Sequence, residues 1–308
     1  MNHKFLGVEI GGTKIQIFLT DEHANVLDRH KFFVGDRKDA TYIRDNIGKM
    51  LSKILQNDKI SAIGVGYGGP VDHQTGEVIT SHQVEGWAGF SLRQWLQQRT
   101  ALPVVVENDA NAAAYGEALC GAGRGFSRVF YITLGSGVGG GYVIDKEIYH
   151  GRKPGEAEIG HVRLDRKGTI LESKCAGWAV DRKIRRYIKE NPGSILAGIV
   201  GDNAHGEARF LLEAIKGGDK GADKILQETA GDLAFGLSHA VHILNPEIII
   251  LGGGLSLLGD QLISAVKKDL PQYVMRAFDT PELCIAELKE DAVCIGASLL
   301  AIKHFNNS

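Results

Sequence analysis

Two glycine-rich turns carry the strongest chemical signal in the chain. Gly11-Gly12-Thr13 separates an apolar run, Phe5–Ile10, from an alternating one, Lys14–Thr20. Gly135–Gly141 does the same between Arg128–Leu134 and Tyr142–Ile144. Successive backbone N–H groups in such turns make anion-binding nests without any helix. Two nests facing each other could clamp a triphosphate, while each alone could equally be a tight hairpin. Other phosphate devices fit less well. The Walker string of glycine, four residues, then Gly-Lys-Ser/Thr is absent. Gly64-x-Gly66-x-x-Gly69 and Gly135-x-Gly137-x-x-Gly140 match the dinucleotide fingerprint in letters. That fingerprint needs a helix directly after the loop, and these run into Pro70 and into a strand.

Polar side chains cluster near these turns in sequence. Glu9, Thr13 and Lys14 flank the first. Asn108 and Asp109 head an Ala-rich helical run, 109–119. Asn108 offers both a donor and an acceptor, the pair that a hydroxyl ligand uses. Glu158 and His161 stand three apart, so a helix or tight turn would put them on one face. Each also has an ordinary reading: Lys14 as an exposed lysine, Asp109 as an N-cap carboxylate, Glu158 and His161 as a surface pair, Glu172 as solvent-facing.

The elements that would position these residues follow from periodicity. Strands are predicted over Phe5–Ile10, Lys14–Thr20, Val26–Val34, Ser61–Tyr67, Pro103–Val106, Arg128–Leu134, Tyr142–Ile144 and Glu247–Leu251. Helices are predicted over Asp39–Gln56, Ser91–Thr100 with Ser91 as N-cap, and Asp109–Leu119. Further helices are predicted over Ala179–Lys189, Glu207–Lys216, Ala222–Leu244, Gly252–Lys268 and Ala292–His304. Asn245-Pro246 stops the longest of these. Strands alternate with helices, so the class is α/β. The strand, glycine turn, strand, acidic turn, strand order of VEIGGTKIQIFLTDEHANVL returns in YITLGSGVGGGYVIDKEIYH. The offset of about 125 residues is far longer than a solenoid period and suggests two related lobes.

Composition narrows the function classes. The chain has 308 residues, 35 Lys and Arg against 37 Asp and Glu. It lacks the basic footprint of a nucleic-acid binder. Glycine, at 40 residues, runs at almost twice the usual ~7%, which implies tight turns or close backbone approach. The four cysteines, Cys120, Cys175, Cys284 and Cys294, share no metal-finger spacing. With no signal peptide at the start and no apolar stretch long enough to span a bilayer, the expectation is a reduced, cytoplasmic protein.

Five strings together resemble the ROK family of sugar kinases and repressors, within the hexokinase–actin–Hsp70 superfamily. They are VEIGGTK, VVENDANAAAYGEA, ITLGSGVGGGYVID, EAEIGHV and NPEIIILGGGLS. The resemblance implies a two-lobed actin-like ATPase fold, ribonuclease H-like, with an interlobe cleft. The expected lobes are 1–113, with the final helix 292–308 packing back on it, and 114–291. It implies ATP-dependent phosphorylation of a hexose hydroxyl, with glucose or a close relative as substrate and ATP and Mg²⁺ as cofactors. Asp109 aligns with the general base; the helix dipole would favour its anion, ready to accept the proton. Asn108, Glu158, His161, Glu172 and Gly69 align with sugar contacts. Gly11, Gly12, Thr13, Lys14, Thr133, Gly135, Gly137, Gly253 and Gly254 align with the nucleotide-binding segments. A homodimer or homotetramer is implied by resemblance alone.

The sequence departs from the family in several places. Glu9 stands where aspartate is usual, and could still reach a magnesium-bound water or the γ-phosphate. Many members carry a zinc-binding histidine followed by a CxCGxxGC run. Between His161 and Glu172 this chain reads VRLDRKGTIL, with Cys175 outside the run, so no structural zinc is expected. Apolar packing would then have to hold this loop. Tyr67-Gly68-Gly69-Pro70 and Gln83 also differ from the usual sugar-loop residues, and Glu156 lies outside the sugar motif and reads as surface. A repressor would need a DNA-binding domain, for which a chain that reaches its phosphate motif at Gly11 leaves no room. A catalytically silent sugar or nucleotide sensor is the alternative to a kinase. An actin-like or Hsp70-like ATPase is disfavoured by the sugar segments.

Overall fold

The computed structural model of the chain describes residues 3–35, 39–81, 84–153, 157–203 and 205–307. Contacts divide it into two compact units. One comprises Met1–Gly125, Gly141–Ala157 and Glu290–Ser308; the other comprises Phe126–Gly140 and Glu158–Lys289.

The first unit begins with strands β1 (Lys4–Ile10), β2 (Lys14–Thr20) and β3 (Val26–Phe33), then helix α1 (Ala40–Asn57) and strand β4 (Ile60–Tyr67). Asp39 caps α1 by accepting from the Thr41 and Tyr42 amides, as helix starts favour. Short strands β5 (Val71–Asp72), β6 (Glu77–Val78) and β7 (Phe90–Ser91) form a small sheet of their own. Ser91 is held in that sheet opposite Glu77. It makes no side-chain bond to the following helix α2 (Leu92–Thr100), so it does not act as the expected hydrogen-bonding cap. Strand β8 (Val104–Asn108) leads directly into helix α3 (Asp109–Cys120). The main sheet runs β3-β2-β1-β4-β8. Its first three strands are antiparallel, while β4 lies parallel to β1 and β8 parallel to β4. Branched side chains such as Ile15, Ile17, Ile63 and Val65 are wholly buried along it.

The chain continues through β9 (Arg128–Leu134), β10 (Val138–Ile144) and β11 (Glu147–Ile148). Helices α4 (Glu172–Cys175), α5 (Gly177–Glu190), α6 (Ile195–Val200), α7 (Leu211–Lys216) and the long α8 (Lys220–Leu244) follow. Then come β12 (Ile248–Gly252), α9 (Gly259–Asp269), β13 (Glu282–Ile285) and α10 (Ala292–Asn306). The second five-stranded sheet runs β11-β10-β9-β12-β13, with β12 parallel to both β9 and β13. This is the strand order of the first sheet, so the repeat read from the two glycine hairpins extends to the strands that flank them.

Several expected boundaries change, β8 running on to Asn108 among them. Strand β10 begins at Val138 rather than Tyr142, so most of the second glycine run is strand and its turn is confined to Gly135–Gly137. The stretch after Gly252 is a 3₁₀ turn, Gly254–Leu258, before α9 begins. Glu207–Phe210 is likewise 3₁₀ before α7.

Helix α10 packs on β1, β4 and α3. A methyl group at Gly7 would run into the carbonyl oxygen of Cys294, and one at Gly64 into that of Ala297. The letters matching a dinucleotide fingerprint at Gly64 therefore serve backbone-to-helix contact. Among the described residues, no helix is long and apolar enough to cross a membrane.

Candidate active site

In the first unit, the parallel pairing of β4 with β8 sets Tyr67 opposite Asn108. Both strands then leave the sheet, β4 into Gly68-Gly69 and β8 into α3. Asn108, not Asp109, is the N-cap of α3: its Oδ1 accepts from the Ala110 and Asn111 amides at 2.8 and 3.1 Å. Its Nδ2 donates to the Gly69 carbonyl at 3.2 Å. The side chain thus joins the helix start to the Gly68-Gly69 turn. Asp109 is the first helical residue, half-buried, and its Oδ1 accepts from the Ala110 amide at 2.8 Å. A carboxylate at this position is steadied by the positive end of the helix.

Asp109 faces the Gly68 turn. A Cβ at Gly68 would lie 3.4 Å from Asp109 Oδ2 and 3.6 Å from the Gly11 Cα. The Gly68 amide donates to the Ile10 carbonyl at 2.9 Å. Asp109, the Gly68-Gly69 turn and the first glycine turn therefore meet at one corner. Burial pushes the Tyr67 phenol up to about 12, and the charge of Asp109 adds to the shift. The Gly11 turn closes with the Gly11 amide donating to the Lys14 carbonyl at 3.1 Å. Gly12 and Thr13 form its tip, and the Thr13 carbonyl accepts from the Val34 amide.

Glu9 and Lys14 face each other at the edges of the hairpin. Gln16, paired with Glu9 across the strands, donates from Nε2 to Glu9 Oε2 at 2.6 Å. Lys14 Nζ lies 3.6 Å from the same oxygen and 3.7 Å from Glu290. Burial raises the Glu9 carboxyl above its ordinary value, against the lowering pull of Lys14 and Gln16. Lys14 is an ion-pair member, not an ordinary exposed lysine.

In the second unit, four segments converge on the second glycine turn and the residues that flank it. The Gly135 amide donates to the Gly137 carbonyl at 2.9 Å, closing the second turn. Glu172, at the start of α4, accepts the Val138 amide on Oε2 at 2.9 Å. Gly160 lies so close to Val138 that a methyl group there would meet its carbonyl oxygen. Gly160 is the middle of a 3₁₀ turn, Ile159–His161, in which the His161 amide donates to the Glu158 carbonyl at 3.0 Å. Residues three apart eclipse in a 3₁₀ turn, so Glu158 and His161 share a face as the spacing predicts, and both are exposed. On the other side, the Gly177 amide at the head of α5 donates to the Gly135 carbonyl at 2.8 Å. Thr133 pairs with Gly252 at the end of β9. Gly253, at φ +77, sits on the backbone of Leu134, where a Cβ would approach within 2.6 Å. Only glycine suits both that space and that conformation. Gly254 opens the 3₁₀ turn after it.

Among the described residues, no group of three or more His, Cys, Asp or Glu side chains is arranged to hold a metal ion. Cys175 is buried, its thiol is pushed up to about 12 by burial, and its Sγ donates to the Thr229 carbonyl at 3.6 Å. The loop after His161 is held by polar groups more than the expected apolar contacts. Arg163 bridges Ile170, Asp165 Oδ1 accepts the Lys167 and Thr169 amides, and the Leu171 amide donates to the Val162 carbonyl. Buried Leu171 supplies the apolar anchor. Gln83 and Glu156 lie outside the described residues.

The structure also brings in residues that the motifs did not single out. Glu107, just before Asn108, is buried and bonded to His150. Gly68 joins Asp109 to the first turn. Gln16 binds Glu9. Only the alternation of β2, which pairs Gln16 with Glu9, could have signalled the last.

The model of the ROK family matches residues 5–304. The chain belongs to the ROK family. It is 33% identical to a glucokinase of Halalkalibacterium halodurans over 99% of this chain and 96% of that protein. It is 31% identical to a glucokinase of Thermotoga maritima over 96% of each. Among solved structures it resembles a ROK family glucokinase from Streptomyces griseus in complex with glucose and AMPPNP. The TM-score is 0.86 at 31% identity, over 97% of this chain and 99% of that one. The α/β fold is that of the two-lobed, actin-like ROK sugar kinases.

Proposed function

We propose that this chain is an ATP-dependent sugar kinase that phosphorylates a hexose, glucose or a close relative. Asp109 is the general base. A sugar hydroxyl oxygen attacks the γ-phosphorus of Mg-ATP, the bond from that phosphorus to the bridging oxygen breaks, ADP leaves, and the hydroxyl proton passes to the Asp109 carboxylate. Phosphoryl transfer asks mainly for positioning and charge stabilisation. The observation that carries the proposal is the corner where Asp109, fixed on the first turn of α3, faces Gly68 beside the Gly11 turn. The membership of the family and the likeness to a glucokinase bound to glucose and AMPPNP support it.

Asn108, Glu158, His161 and Glu172 are assigned to the sugar hydroxyls, and Gly69 to the same pocket through its backbone, which Asn108 also holds. Gly11, Gly12, Thr13, Lys14, Thr133, Gly135 and Gly137 are assigned to the phosphates, and Gly253 and Gly254 to the nucleoside. Magnesium enters with ATP as part of the substrate, with Glu9 facing one of its waters. No structural zinc is part of this proposal; one stoichiometric zinc per chain in elemental analysis would overturn that clause.

The test is ADP release from Mg-ATP over a panel of hexoses. The expected result is sugar-dependent ADP with one hexose, reduced by roughly 10²–10⁴-fold in Asp109→Ala, the range for a general base. ADP release without sugar would point to an ATPase, and tight sugar binding without turnover to a sensor.

A further inference from the structure

Glu107 is a buried carboxylate, 4% exposed, that the proposed chemistry does not use. A buried charge is costly unless it is paired and hydrogen-bonded. Oε1 accepts from the Asn108 amide at 2.9 Å and from Asn111 Nδ2 at 3.1 Å. Oε2 lies 2.6 Å from His150 Nε2. A carboxylate has no proton to offer here, so the ring nitrogen is the donor. Both partners on Oε1 belong to the start of α3, one on each side of Asp109. His150 reaches Glu107 from the segment after β11, a strand that packs on α3.

The His150 ring is itself fixed. It stacks on His73 with centroids 3.8 Å apart and planes 12° from parallel. Burial and then His150 hold His73 below its ordinary value, which favours an uncharged ring at position 73. Two stacked imidazoliums would repel. Nearby, Lys153 pairs with Asp72 at 2.7 Å, and the His73 carbonyl accepts from Arg93 at 2.6 Å. The ring that meets Glu107 is thus backed by a second ring whose own backbone is tied down.

We propose that His150 is a positioning residue for the phosphoryl transfer: its bond to Glu107 orients that carboxylate, which in turn fixes the first turn of α3 and the aim of Asp109. This rests on the kinase function proposed above. It goes beyond it in assigning Glu107 and His150 a role through Asp109 without contact to either substrate. Without the imidazole, one oxygen of a buried carboxylate loses its donor. Glu107 then turns toward a new partner, and the Asn108 amide and the Asn111 side chain, on either side of Asp109, lose their fixed acceptor. Small misplacement of a catalytic group is enough to cost rate without costing binding.

The test compares wild type, His150→Ala and His150→Gln, the last keeping an N–H donor for Glu107. In His150→Ala the expected result is a kcat lower by on the order of 10- to 100-fold, with KM for sugar and Mg-ATP within about 3-fold. His150→Gln should recover most of the loss. Hydrogen exchange at the Asn108 amide, which Glu107 accepts, should be about 10-fold faster in His150→Ala and near wild type in His150→Gln. Wild-type kcat and unchanged exchange in His150→Ala would overturn the proposal. So would equal impairment of both variants, or a raised KM at constant kcat, which would make His150 a substrate contact. If the wild type phosphorylates no hexose, the kinase function fails by itself, and the exchange rates alone decide whether His150 fixes this corner.

Discussion

Asp109 and Asn108 divide the work at the head of α3. A carboxylate at the first helical position that also had to cap the helix would have its oxygens turned onto the backbone. Here Asn108 takes the Ala110 and Asn111 amides, and Asp109 accepts Ala110 on one oxygen while the other faces Gly68. That second oxygen lies at the corner by the Gly11 turn. Glu9 shows a different residue-scale balance. Burial is the largest influence on it and raises its carboxyl, while Lys14 and Gln16 oppose the shift. A carboxyl raised on folding contributes stability that is present at low pH and lost as pH climbs through the folded value. Glu9→Gln removes that pH dependence. The wild type should therefore lose melting temperature relative to Glu9→Gln between pH 4 and pH 8. Parallel thermal melts across that range read the difference, and a difference that does not change with pH would contradict the assignment.

At the scale of elements, the two glycine hairpins are held by different means. The first is closed by its own backbone and by the Val34 amide, and the second by the Glu172 side chain and by α5. Glu172→Gln keeps an acceptor for the Val138 amide, and Glu172→Ala leaves a buried amide unsatisfied, at a cost of about 1–3 kcal/mol. Melting temperature should fall in the alanine variant and hold in the glutamine one; equal melting of the two would show that Glu172 does not brace the turn. The hairpins, α1, α3 and α8 were legible in the sequence because alternation, helical spacing and Pro246 leave little choice. The start of β10 was not, since glycine carries no side chain to show a strand period. The capping order at 108 and 109 was also hidden. Asparagine and aspartate are near-equal caps, and only the register of β8 against β4 decides which one ends the strand. Glu107 stood in plain view beside the motif, but its partner His150 is far along the chain and becomes visible only when β11 packs on α3.

At the scale of the whole molecule, one strand order serves both sheets, and the same hairpin-and-parallel-strand plan presents each glycine turn at the end of a central strand pair. Helix α10 accounts for part of the glycine content: it lies so close to β1, β4 and α3 that Gly7, Gly64, Gly116 and Gly296 have no room for a side chain. Chain ends far apart in sequence thus meet beneath the corner that holds Asp109. The central claim is that this carboxylate takes the proton from the attacking sugar hydroxyl, and a crystal structure of the protein with glucose and a non-hydrolysable ATP analogue tests it most directly. The account predicts an Asp109 carboxylate oxygen within about 3 Å of a sugar hydroxyl, with that hydroxyl in line with the γ-phosphorus. A bound sugar whose in-line hydroxyl contacts another carboxylate, or that lies out of reach of Asp109, would contradict it.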